Sequence, residues 1–194
     1  MQVMVRRVFA LIWVLLAVAA FAQDGPQTGS TAACQVAADA LRDAAGADCA
    51  FIGAGLLNQT FDKNNLATMF EYPKDQIVVV DLTGSQIRDA LERSVSLYPE
   101  PSTGFLQLSG IESTFSKSAA PGKRILNVTV GGLKLDDKRT YSVAMPEPLG
   151  RGDLGYFKIW DTSKIVKTLP NLTVESVLKG KHSSESPPRW SAVG

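Results

Sequence analysis

Side chains able to carry hydrolytic chemistry are scarce in this sequence. Its one histidine, His182, stands between Lys181 and Ser183 in a polar stretch. A Ser-His-Asp triad or a histidine-rich metal centre would have to use it, and no Gly-x-Ser-x-Gly elbow supplies a nucleophile. His182 is expected to be a solvated residue, and the chain is expected to hold no catalytic residue, no metal and no cofactor. Gly150, Gly152 and Gly155 match the G-x-G-x-x-G spacing. Dinucleotide binding needs that loop to open a helix whose N-terminus faces the pyrophosphate. Here Phe157 to Asp161 (FKIWD) follows instead, with strand-like alternation. The same loop spells Arg-Gly-Asp, too short a match to carry weight. Asp39 and Asp43, one helical turn apart, and Asp136-Asp137, in a turn, read as solvated faces. Asn58, Asn127 and Asn171 open glycosylation sequons that matter only in a eukaryotic source.

The two cysteines, Cys34 and Cys49, fall in the first turn of one helix and at the start of the next strand. A strand running back along that helix puts them about 15 Å apart, at about 1.5 Å per helical residue. A disulfide needs Cα atoms within about 7 Å. Two buried thiols are expected ahead of a bridge.

The 194 residues are 45% apolar and 20% charged, with 20 basic residues against 19 acidic ones. That hydrophobicity at so small a net charge speaks against disorder. A formal charge of +1 removes the compositional case for a nucleic-acid polymer as partner. Arg6 and Arg7 precede an apolar run from Val8 to Ala22 that closes on Ala20-Phe21-Ala22. The run is shorter than the about 20 residues of a membrane span and has the form of a signal peptide, residues 1–22. The mature chain is then secreted or periplasmic, with no membrane segment left after cleavage. Residues 23–30 read as a polar linker, 31–180 as one domain, and 181–194 as a flexible tail.

Any candidate residue must be positioned by these elements. Val36, Ala37, Ala40, Leu41 and Ala44 recur at helical spacing and Gly46 stops the helix. Cys49 to Ile52 is a short buried-strand run leading into the flexible Gly53-Ala54-Gly55. Asp62 is expected to cap a short helix carrying Leu66, Met69 and Phe70, ended by Pro73. Ile77 to Leu82 (IVVVDL) reads as a central strand, and Thr83 with Gln86 as a capping box opening a helix with Ile87, Ala90, Leu91 and Val95 on one face. The period then becomes two. Leu106 and Leu108 share a face, as do Leu126, Val128 and Val130, and Gly131-Gly132 signals a hairpin. Leu133 and Leu135 alternate beyond it, then Tyr141, Val143 and Met145, until Pro146 and Pro148 break the strand. Thr173 to Leu178 is a last short helix. This order predicts an α+β fold, a single domain with a mixed β-sheet and packed helices.

Four segments, in order, resemble the C-terminal domain of secreted 5′-nucleotidases and UDP-sugar hydrolases. They are Ala38 to Asp48, Val79 to Gly84 with Gln86 to Leu91, Gly104 to Gly110 (GFLQLSG), and Arg139 to Ala144 leading into a Gly-Asp-x-Gly-Tyr loop. Members of that family join a metallophosphatase domain, with two metal ions, to a C-terminal domain that stacks the nucleoside between two aromatic rings. The resemblance covers only the second of these, so the chain alone is expected to be non-catalytic.

The resemblance also implies a site. The family's N-G-G-G-I-R loop falls on Gly53 to Asn58, so its Arg has become Asn58, and a further Arg, before the opening helix, falls on Ala32. The first stacking ring falls on Tyr72 and the second on Pro148. Gly152, Asp153, Gly155 and Tyr156 match the end of the second-ring loop, with Leu154 out of place. The ligand-binding residues implied are Tyr72, Asn58, Gly104, Asp153 and Tyr156, facing a nucleoside or nucleotide. The alternatives are a specificity or regulatory subunit of a separately encoded metallophosphatase, and a structural or interaction domain.

Overall fold

The computed structural model describes residues 25–194; the expected signal peptide lies outside the described residues. Helix α1 (Ala32–Ala45) starts where Thr31, in extended backbone, accepts the Cys34 N–H on its hydroxyl. It ends at Gly46, whose φ of 64° is the left-handed turn that glycine tolerates. Strand β1 (Cys49–Gly53) follows, then a 3-10 turn over Leu66–Met69, β2 (Gln76–Thr83) and α2 (Gly84–Ser94). The capping box opening α2 is present in both directions: Thr83 Oγ1 accepts the Gln86 N–H, and Gln86 Oε1 accepts the Thr83 N–H. The remaining elements are β3 (Leu106–Ser109), β4 (Ile111–Ser116), β5 (Ile125–Val130), β6 (Leu133–Lys134), β7 (Thr140–Pro146), α3 (Glu147–Gly150), β8 (Ile165–Thr173), α4 (Val174–Leu178) and β9 (Trp190–Val193).

The strands form two sheets, ordered β3-β1-β7-β2-β8 and β6-β5-β4-β9. Each mixes directions, with β1–β7 parallel in the first and β4–β9 parallel in the second. The fold is α+β, as the element order predicts. In β2, alternate side chains serve two cores. Ile77 and Val79 join Ala37, Leu41, Met69, Val174 and Leu178 on the side of α1 and α4. Val78, Val80 and Leu82 join Leu91 of α2 and Phe115, Val128 and Trp190 of the second sheet. Burial on both faces explains a strand that reads as a continuous apolar run.

Several local expectations are corrected. Asp62 caps no helix: its carboxylate accepts the Asn64 N–H, and the 3-10 turn begins after Asn65 without a side-chain cap. Leu126 does not share the face of Val128 and Val130. The β4–β5 register steps from Thr114–Asn127 to Phe115–Ile125, so Leu126 is the extra residue of a bulge and is turned out to solvent. Residues 157–161 form no strand: 157–159 are turn and the next two are irregular. Three strands that the pattern did not show, β4, β8 and β9, complete the sheets.

Both ends of the described chain are tied down, where a linker and a flexible tail were expected. Gln107 donates its amide to the Pro26 and Gly29 carbonyls, and β9 adds a strand with Trp190 buried. Arg189 makes a two-pronged pair with Asp39, at 2.7 and 2.8 Å. Asp39 is therefore a partly buried clasp and not a solvated carboxylate. Arg189 Nη1 also donates to Leu108 O, and Trp190 Nε1 to Leu106 O. Two successive residues thus occupy the carbonyls on the outer edge of β3.

Candidate functional site

Beyond β1 the chain turns through Gly53 to Asn58. Ala54 N–H donates to Phe105 O at 2.8 Å and Gly55 N–H to Thr103 O at 2.7 Å, which fixes this loop to the approach to β3. The next loop is pinned to it in turn. Leu57 and Phe70 form an isolated antiparallel bridge, Asn58 N–H donates to Met69 O, and Glu71 N–H donates to Leu56 O. The Asn58 amide donates to the Thr68 and Phe70 carbonyls. Tyr72 follows at once and is 59% exposed. The Glu71 carboxylate beside it raises its phenol above the ordinary range.

The third loop follows β7. Pro146, Gly152 and Gly155 break any continuing strand, and the two glycines take φ of 94° and 84°. Leu154, between them, has φ 57° and is the single non-glycine residue at positive φ among the described residues. Its side chain rests on the first loop. A Cβ on Gly53 would collide with it, and one on Gly55 would lie 2.7 Å from a Leu154 methyl. Arg93 Nη2 donates to Leu154 O, and its guanidinium carbon lies 5.4 Å from the Tyr156 ring centroid.

Tyr156 is a pillar of this loop. Trp160 is stacked against it, with centroids 4.6 Å apart, Arg93 holds the cation position, and its hydroxyl donates to Gly104 O at 2.6 Å. The ring is fully buried, and burial pushes its phenol up in spite of the Arg93 charge. The resemblance implies Tyr156 and Gly104 at a ligand; here they meet each other, and Trp160 and Arg93 enclose the ring. Asp153 lies exposed in the 3-10 turn Asp153–Gly155.

The five residues therefore fall in separate places. Gly104 and Tyr156 are paired inside, Asp153 is outside, and Asn58 and Tyr72 lie on the pinned loops. Asn58 shares a cavity with Ala32, the other position where the resemblance expects an arginine. The cavity, of about 480 Å³, lies at the start of α1 and is lined also by Thr31, Phe61, Lys63 and Ser183. Leu154 and Arg93 were not singled out from sequence; only the break of Leu154 with the loop motif hinted at the former.

No group of three or more His, Cys, Asp or Glu gathers among the described residues, and no described helix is long and apolar enough to cross a membrane. Cys34 and Cys49 are free and buried. Burial pushes the Cys34 thiol up to about 11 and Cys49 further.

Residues 14–160 match the family model described as 5′-nucleotidase, C-terminal domain. The trifunctional nucleotide phosphoesterase protein YfkN of Bacillus subtilis is 33% identical over 125 residues, covering 59% of this chain and 8% of that protein. The snake venom 5′-nucleotidase of Naja atra is 30% identical over 89 residues, covering 42% of this chain and 17% of its own. Among solved structures, the 5′-nucleotidase precursor of Thermus thermophilus superposes with a TM-score of 0.73 at 20% identity, covering 87% of this chain and 36% of that one. The chain thus spans a minor part of each relative's length, and at this identity the superposition speaks for the fold.

Proposed function

The chain belongs to the family of 5′-nucleotidase C-terminal domains, and from that premise we propose that it is an exported, non-catalytic domain that binds nucleosides at an eroded site with Tyr72 as its stacking platform. One observation carries the reading: an aromatic residue, 59% exposed, on a turn hydrogen-bonded to the loop that begins at Gly53. A ring open to solvent on a turn held by backbone bonds can receive a base without the loop first being ordered. Export is supported by the apolar run after Arg6-Arg7 and by the venom relative.

The phosphate side of the site differs. Ala32 and Asn58 carry no charge where the resemblance expects arginines, so a 5′-phosphate lacks the charge-assisted pair they would provide. Adenosine and AMP should bind about equally, with little salt dependence. Calorimetry with both ligands at low and high salt tests this. Tyr72→Ala should weaken adenosine binding by about 1–3 kcal/mol, the worth of a base–aromatic stack. AMP binding far more tightly than adenosine would point to another cation, Lys63 or Arg151; affinity indifferent to Tyr72→Ala would remove the platform from the proposal.

The burial of Tyr156 and the seating of Leu154 on the glycine loop favour a second reading, in which the domain works through its surface. It would then be a specificity or regulatory subunit of a separately encoded metallophosphatase. Co-purification with such a phosphatase, in the absence of any nucleoside effect on thermal stability, would favour it.

A further inference from the structure

We propose that Leu154 is an internal stopper: its side chain occupies the recess between the Gly53–Asn58 loop and the Gly150–Tyr156 loop, and nucleoside affinity depends on how readily it leaves. This rests on the nucleoside-binding reading above and adds what regulates that site. The backbone of Leu154 is in a conformation that L side chains rarely adopt, at φ 57°. Such a conformation persists only where the surroundings hold it. Two contacts do so here: the lodging of the side chain against Gly53 and Gly55, and the bond from Arg93 to its carbonyl.

Leu154 is partly buried and packs against the edge of the main core, but its methyls lie over Gly53 and Gly55, two residues that have no side chain. A glycine floor lets a flat ring approach the backbone closely once the leucine is gone. The loop has the means to let it go. Gly152 and Gly155, at φ 94° and 84°, flank it and permit backbone paths closed to other residues. Tyr72 stands on the turn bonded to the same loop farther along, at Leu56 and Asn58.

An occupant that must leave before a ligand enters lowers apparent affinity by the fraction of molecules in which the recess is free. Titration calorimetry of the full chain with adenosine tests this on wild type, Leu154→Gly and Leu154→Ala, each checked for folding by circular dichroism. Leu154→Gly accepts the positive φ and removes the stopper; it should bind adenosine about tenfold more tightly, as for a recess blocked in about nine molecules of ten. Leu154→Ala should move the same way and decides the matter should Leu154→Gly fail to fold. A folded variant that binds no more tightly than wild type overturns the stopper. Tyr72→Ala separates the two proposals. If it weakens the wild type while Leu154→Gly changes nothing, the stopper falls and the binding reading stands. If Leu154→Gly gains affinity that Tyr72→Ala does not reduce, the stopper stands and the platform falls. Absence of adenosine binding in every variant overturns both.

Discussion

Tyr156 and Tyr72 show how residue type alone underdetermines role. Both are tyrosines in loops, yet one is sealed by Trp160, Arg93 and Gly104 and the other is open. Nothing in the local string Gly155-Tyr156-Phe157 announces the enclosure, because Arg93 arrives from 63 residues earlier in the chain. Tyr156→Phe removes a donor from the buried Gly104 carbonyl and should lower unfolding free energy by about 1–3 kcal/mol in urea. The thiols make a separate prediction. Their folded values are raised, so the stability they contribute is complete below the unfolded thiol range, about 8.5. It should decline as pH rises from there toward about 11 for Cys34. In the folded protein neither thiol should react with an aromatic disulfide reagent at pH 8; rapid labelling without denaturant would contradict their burial. Helix rise and strand direction favoured two buried thiols over a bridge without settling it, and both are free.

At the scale of elements, legibility followed how much of the pattern was local. Helix α2 carried its start signal and its apolar face within its own residues, and the structure has both. Leu91 on that face is fully buried, so Leu91→Ala should cost about 2–5 kcal/mol by calorimetry or urea titration. The missed strands hid their period. In β4 the inward positions are Ile111, Ser113 and Phe115, and a serine in the middle breaks the apolar alternation. The edge strand β8 contains Pro170, shifts register twice against β2 and is largely exposed. In β9 only Trp190 is buried, and its partners come from far away in sequence. The candidate site was legible to the same extent: the loops were located, but the filling of one by Leu154 depends on three-dimensional approach.

The clasp of β9 should respond to acid. Burial alone would raise the Asp39 carboxyl, but the bonds from Arg189 and Ser109 and the Arg189 charge outweigh it and hold it below its ordinary value. A depressed folded value means stability that is present above the unfolded value of 3.8 and lost as pH falls through the lower folded one. Asp39→Asn should therefore destabilise at pH 6 by about 1.5–3 kcal/mol, the worth of hydrogen bonds to a charged group. The difference from wild type should shrink as pH drops below about 4. An equal cost at pH 6 and pH 2.5 would show that the charge of Asp39 is not what secures the strand.

Taken as a whole molecule, the first sheet is the middle layer, with α1 and α4 on one face and α2 with the second sheet on the other. The two cores share the strands of this sheet, with alternate residues of β2 in each, so one cooperative unfolding transition is expected. With one histidine in the sequence, the purified chain should release no phosphate from AMP when divalent metal ions are added. Turnover that survives purification and disappears on chelation would defeat this.

The outer edge of β3 has a further consequence. Its two carbonyls are held by side chains of Arg189 and Trp190, which reach it across an exposed run, Lys179 to Pro188. Connectivity through that run does nothing for the contacts themselves. A tryptic nick after Lys181 should thus leave a two-piece protein that migrates as one particle in its native state and as two fragments under denaturant. Mixing the separated fragments should restore the native fluorescence of Trp190, as in split-protein complementation. Without the small fragment, the bared strand would offer its carbonyls to a neighbouring molecule, and the large fragment should grow into oligomers that light scattering can follow.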